Sequence, residues 1–116
     1  MKTQGKIWGK TKEIFQNSNF EIHRIEAKKG GFCSKHQHQH KFNAFYIEQG
    51  KLKITVYETD YDLIDETTVS AGELTTVKPG VYHRFEAIED TICYEIYWVE
   101  LSHDDIQRED TGGQSG

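Results

Sequence analysis

The 116-residue chain has one proline, Pro79, one methionine and two cysteines, Cys33 and Cys93. Two cysteines are too few for a disulfide framework, and the sequence holds no N-x-Ser/Thr acceptor, so both are read as free thiols. No apolar run approaches the ~20 residues of a membrane span, and the first ten residues lack the apolar stretch of a signal peptide. A cytoplasmic protein that enters no membrane is expected. An excess of positive charge is also missing: 14 Lys and Arg stand against 19 Asp and Glu, a net charge of −5, and the basic residues are scattered. That excludes a surface built for a phosphate backbone, hence nucleic acid as partner. No window sustains a capped 3.6-residue apolar period, so helix is expected at most as a turn near residues 104–107.

What the chain does have is aromatic and β-branched residues in short runs. Hydrophobic residues make up only 35%, but six Phe, six Tyr and two Trp supply enough buriable area for one small core. The clearest alternation is Lys51-Leu52-Lys53-Ile54-Thr55-Val56, with Leu52, Ile54 and Val56 on one face. Further strand-like runs cover residues 13–16, 20–27, 32–38, 43–48, 61–68, 74–77, 81–87 and 91–100. Gly30-Gly31, Gln49-Gly50, Ala71-Gly72 and Pro79-Gly80 mark the corners. So many short strands hide their edges best by closing, which predicts an all-β sandwich or barrel over residues 1–103. Residues 104–116 are polar and end in Thr-Gly-Gly-Gln-Ser-Gly, the composition of a mobile tail.

Three of the six histidines fall in Ser34-Lys35-His36-Gln37-His38-Gln39-His40. On an extended segment that alternation puts all three imidazoles on one side, where neighbours two apart can reach one ion at about 2.0–2.1 Å. A solvated histidine run would look the same in isolation. Downstream, Pro79-Gly80 is a tight turn from which Val81-Tyr82-His83-Arg84-Phe85 departs with alternating direction, aiming His83 and Phe85 to one face.

Gly30, His36, His38, Asn43 and Gly50, followed by Gly72, Pro79, Gly80 and His83, resemble the two paired motifs of the cupin superfamily. Those read G-x5-H-x-H-x(3,4)-E-x6-G and G-x(5,7)-P-x-G-x2-H-x3-N. The resemblance implies a single jelly-roll β-barrel with one divalent metal ion (Zn, Mn, Fe or Ni) held by His36, His38, Asn43 and His83. Two positions depart from the pattern: Asn43 stands where the family has Glu, and Ala87 where it has Asn. His40 shares the parity of His36 and His38 and is a rival fourth ligand. Trp8-Gly9-Lys10, the run from Ile22 to Gly30, and Asp104-Asp105-Ile106-Gln107-Arg108 are similar to the type II phosphomannose isomerase cupin domain. There His36 replaces a family Gln, and the ending after Arg108 is one residue out of step.

Glu95 lies among apolar neighbours in the last strand, a costly position unless it is paired or faces a wet cavity, and is the candidate general base. His23 and His103 read as solvated, and Cys33 as packing. The function expected is a metal-dependent isomerase or epimerase of a sugar or sugar phosphate, its small-molecule ligand an anionic sugar. An Fe(II) dioxygenase and a non-catalytic small-molecule-binding cupin are the alternatives, the latter favoured by Asn43 in place of an acidic ligand. Ile92, Tyr94, Ile96 and Trp98 on one face of the last strand, with Tyr97 and Val99 on the other, are more apolar surface than one barrel interior takes up, so a homodimer is expected.

Overall fold

The computed structural model describes residues 3–57, 63–99, 104–105, 107–109 and 111–116. Among these described residues nine antiparallel strands follow one another: β1 (Thr3–Lys6), β2 (Gly9–Gln16), β3 (Phe20–Ala27), β4 (Phe42–Gln49), β5 (Lys51–Tyr57), β6 (Ile64–Ser70), β7 (Leu74–Val77), β8 (Tyr82–Ala87) and β9 (Thr91–Trp98). They form a six-stranded sheet in the order β1-β2-β3-β9-β4-β7 and a three-stranded sheet in the order β6-β5-β8, the two faces of a jelly roll. No helix among the described residues is long and apolar enough to cross a membrane. Asp104 sits in a turn, while Ile106 and His103 lie outside the described residues.

The inner face follows strand parity. Ile25 and Ala27 of β3, Phe45 and Ile47 of β4, Leu52 and Ile54 of β5, Phe85 and Ala87 of β8 and Cys93 of β9 are all buried in one cluster spanning both sheets. Phe85 is its hinge, packing edge-on to Trp8 at 5.0 Å and to Phe45 at 6.0 Å. Both cysteines are free and buried; burial pushes the Cys33 thiol up to about 11 and the Cys93 thiol up to about 12, which makes them inert.

Two expectations change. The strand expected over residues 32–38 is an extended connector joined to β8 by two isolated bridges, Phe32 with Glu86 and His36 with His83. Four residue steps on the connector face three on β8, so a regular ladder cannot run between them, and the extra residue turns both Cys33 and His36 inward. No strand is expected ahead of residue 13, whereas Gly9 onward pairs with β3 and carries β1 as a hairpin.

Gly50 joins β4 to β5 with φ of 95°, and a Cβ there would run into the Asp90 carbonyl oxygen and meet Thr91 Oγ1 at 2.7 Å. Gly50→Ala is therefore expected to cost at least about 2 kcal/mol, a fall in melting temperature of roughly 10 °C by circular dichroism. Gly72→Ala, at similar φ but with open space around it, should cost less.

Candidate metal centre

The jelly roll brings the two histidine motifs together because the connector carrying His36 and His38 is clamped to β8 on both sides of the site. His36 and His83 exchange backbone hydrogen bonds of 3.1 and 2.8 Å, and the Gly80 amide donates to the His38 carbonyl at 2.7 Å. The rings of His36 and His83 lie 4.5 Å apart, those of His36 and His38 5.1 Å, and one nitrogen from each of the three falls within 4.8 Å of the others. Among the described residues this is the one cluster of histidine, cysteine or carboxylate groups with such spacing.

Hydrogen bonding fixes which nitrogens face inward. His36 Nδ1 donates to the Ser34 carbonyl at 2.7 Å and His83 Nδ1 to the Val81 carbonyl at 3.0 Å. A carbonyl only accepts, so each Nδ1 carries the proton and each Nε2 presents a lone pair. His38 Nε2 is buried with no hydrogen-bond partner at all. Burial and the neighbouring imidazole of His36 hold His38 down at about 4, and burial lowers His83, so both are neutral near pH 7.

Asn43 completes the arrangement. It is 1% exposed, its Nδ2 donates to the Ile96 carbonyl at 3.2 Å, and this orients Oδ1 to within 3.2 Å of His83 Nε2. Two lone pairs thus face each other across a buried gap, a repulsive contact that a cation between them would turn attractive. Inward lone pairs, imidazoles held by backbone carbonyls on their far side and one orphaned buried nitrogen are what a divalent metal requires of its ligands. His40 does not join them: the chain bends at Gln39 and His40, parity is lost, and the ring is exposed.

Beside the histidines lies a cavity of about 370 Å³, with Glu21, His23, His36, Lys41, Glu95 and Tyr97 among its lining residues. Glu95 points inward because β9 alternates with Cys93, Glu95 and Tyr97 toward the interior. Burial raises its carboxyl above the usual range, only partly offset by hydrogen bonding to Tyr97 and by the nearby His36 and His23. His23 sits opposite Glu95 on the β3–β9 ladder and bonds Glu21 at 3.1 Å through Nε2. His23, expected in solvent, lines the cavity instead. Its parity with Ile25 and Ala27 was the signal that it turns inward. A larger cleft of about 620 Å³ under the β1–β2 hairpin, near Ile7 and Lys28, holds no such cluster.

The amide at position 43 leaves the +2 charge of a bound ion uncompensated. Asn43→Asp keeps the shape and adds a charge where Oδ1 now stands, so metal affinity should rise on the order of 10-fold while phosphate and carboxylate affinity falls. The Ile96 carbonyl would lose its donor, lowering apo stability by about 1–3 kcal/mol. Unchanged metal affinity by calorimetric titration would remove Asn43 from the coordination shell.

Comparison with known proteins agrees with this geometry. The profile of the cupin domain family matches residues 23–100. Among solved structures the chain is similar to KdgF from Halomonas sp. (14% identity, TM-score 0.72, covering 87% of this chain and 90% of that one). It is also similar to the cupin domain of Schizosaccharomyces pombe Cnp3 (20%, 0.71, 86% and 69%) and to the capsular polysaccharide assembling protein CapF of Staphylococcus aureus (24%, 0.72, 89% and 29%). No curated protein matches in sequence. With its jelly roll, its paired motifs and its family profile, the chain belongs to the cupin domain family.

Proposed function

We propose that the chain is a mononuclear metal enzyme that moves a proton next to a carbonyl, as an isomerase or epimerase of a sugar or sugar phosphate, in the manner of type II mannose-6-phosphate isomerase. The observation that carries this reading is a carboxyl of raised proton affinity, Glu95, in a cavity that it lines together with His36, one of the three clustered imidazoles. His36, His38, His83 and Asn43 would hold one divalent ion. When bound, the ion supplies a Lewis acid for a substrate oxygen.

The remaining steps belong to the protein. Glu95 takes the proton from the carbon beside the carbonyl and returns it to the neighbouring carbon, and its raised proton affinity makes it the stronger base. The His23–Glu21 pair, on the other side of the ladder, moves the hydroxyl proton between the two oxygens. Lys41, 4.0 Å from Glu21 and over the Tyr97 ring at 4.3 Å, stands at the cavity with a charge suited to an anionic substituent. The neutral ligand set favours the same kind of substrate. Two buried thiols and no disulfide framework suit a cytoplasmic setting.

The test is an aldose and ketose phosphate panel, beginning with mannose 6-phosphate, incubated in D₂O with the Zn- or Mn-loaded protein and followed by proton NMR. Deuterium entering at the carbon beside the carbonyl is the expected result. Oxygen uptake dependent on Fe(II), without exchange, would make the protein an oxygenase instead. Binding without exchange or oxygen uptake would make it a non-catalytic cupin.

A further inference from the structure

Lysines that are scattered along the sequence meet at one cleft. Lys6, at the end of β1, and Lys28 and Lys29, in the turn after β3, line a space of about 670 Å³ together with Ile7, Trp8 and Phe32, and no carboxylate of the described residues lines it. The neighbouring cleft of about 620 Å³ shares Lys6, Ile7 and Lys28 but has Glu26 and Asp90 beside them, and its Lys10 is taken up by Glu26 at 3.0 Å. Lys6, Lys28 and Lys29 form no ion pair with a described residue. Arg84, over the Phe32 ring at 5.1 Å, adds a further positive charge at the margin. On a chain of net charge −5, an acid-free group of cations around a concavity sets a local preference for anions.

Backbone contacts tie the walls of this cleft together. The Lys28 amide donates to the Trp8 carbonyl at 2.9 Å, the Gly30 amide to the Ala87 carbonyl at 2.8 Å, and the Lys29 amide to Asp90 Oδ1 at 2.9 Å. Gly31 passes so near the β1–β2 turn that a Cβ there would meet Trp8 Cβ at 2.8 Å. The turn after β3 and the hairpin tip therefore hold one another, and the three lysine side chains extend from a fixed frame. Apolar surface completes it: Ile7 is fully exposed at the tip, Phe32 is 56% exposed, and Trp8 is held edge-on to Phe85 at 5.0 Å.

We propose that this cleft binds an organic phosphate, a phosphate ester on a flat apolar body, with the phosphate oxygens on Lys6, Lys28 and Lys29 and the body against Ile7, Trp8 and Phe32. The inference does not rest on the proposed reaction. A phosphate ester carries a charge of about −1.5 to −2 near pH 7 and three acceptor oxygens, which suits three ammonium donors; a carboxylate, with a single charge, leaves most of theirs uncompensated. The volume is that of a small-molecule site, apolar walls with a few polar groups. The cleft adjoins the metal cavity, sharing Lys6, Trp8 and Ser34 with it, but none of the histidines lines it, so the lysines and not a metal ion hold the phosphate. An anionic bilayer is the poorer occupant: it attracts basic side chains that project from a surface, whereas these surround a concavity, and the net charge of −5 opposes its approach.

Calorimetric titration of the untagged protein with phenyl phosphate, in the Zn(II)-loaded form and after chelation, tests this. One phenyl phosphate per chain should bind, with the same affinity in both forms. The double variant Lys28→Ala/Lys29→Ala should weaken binding by about 10-fold or more with an unchanged far-ultraviolet spectrum. Lys53→Ala should not change it, because that ammonium is taken up by Glu66 and Glu86 on the three-stranded sheet. Ile7→Ser should weaken phenyl phosphate by about threefold and leave inorganic phosphate unchanged. No binding of phenyl phosphate overturns the proposal, as does equal affinity for phenyl and inorganic phosphate. Binding that disappears on chelation and ignores the lysine variant places the phosphate on the metal and overturns it too. Sedimentation with phosphatidylserine vesicles that is lost in the lysine variant, without phenyl phosphate binding, would assign the lysines to a membrane surface instead.

Discussion

Replacing His83 by Ala is expected to weaken Zn(II) or Mn(II) binding by at least about 100-fold, since removing a ligand exceeds the 10–100-fold typical of losing a residue that merely supports one. His83 is the keystone because it is buried on β8, whereas His36 and His38 share one connector; without it both remaining imidazoles come from the same extended segment. His40→Ala, four residues from His36 and exposed, should change nothing. The effect is read as stability as well as affinity. Metal at 100 times its dissociation constant stabilises the wild-type fold by about 2.7 kcal/mol, and that increment should vanish in His83→Ala. An equal loss in His83→Ala and His40→Ala would mean that the histidines bind metal without forming a site.

Glu95→Gln is expected to lower kcat for exchange or isomerisation by about 10²–10⁴-fold, the range for removing a general base. Gln keeps the volume and the hydrogen bonding to Tyr97 but cannot take a proton, so KM and metal content should stay within about threefold of wild type. The variant should also be no less stable. Burial of the carboxyl opposes its charged form, so the native state binds the proton more tightly than the unfolded chain does. Glu95 therefore costs stability as the pH rises through its unfolded range toward its raised folded value, and Glu95→Gln removes that cost above that range. A variant with full activity would take Glu95 out of the chemistry and leave the His23–Glu21 pair as the base.

The site was legible where spacing carries it. His36 and His38 two apart, and His83 three residues after Gly80, follow from strand alternation and a Pro-Gly turn, and Glu95 stood out as a charge among apolar neighbours. The misses came where alternation breaks. His40 keeps the right parity, but the bend at Gln39 and His40 cancels it. Residues 32–38 have strand composition, but one extra residue against β8 prevents a ladder. His23 was misjudged because its neighbours Ile22 and Arg24 face outward, and an apolar outer face disguises which side of the strand is the core. The same disguise acts on β9, whose bulkier residues, Ile92, Tyr94, Ile96 and Trp98, face out while Cys93, Glu95 and Tyr97 face in. Local patterns give periodicity; the choice between the two faces is made by the whole barrel.

The central claim is that three imidazoles present Nε2 to one ion, with Nδ1 of His36 and His83 held by backbone carbonyls. Long-range proton–nitrogen NMR of the imidazoles during titration of the untagged protein with Zn(II) tests it directly. The account predicts that the Nε2 signals of His36, His38 and His83 shift together and saturate at one equivalent, with Nδ1 of His36 and His83 protonated throughout. Fewer than three histidines responding, saturation beyond one equivalent, or metal at Nδ1 of His36 or His83 would contradict it.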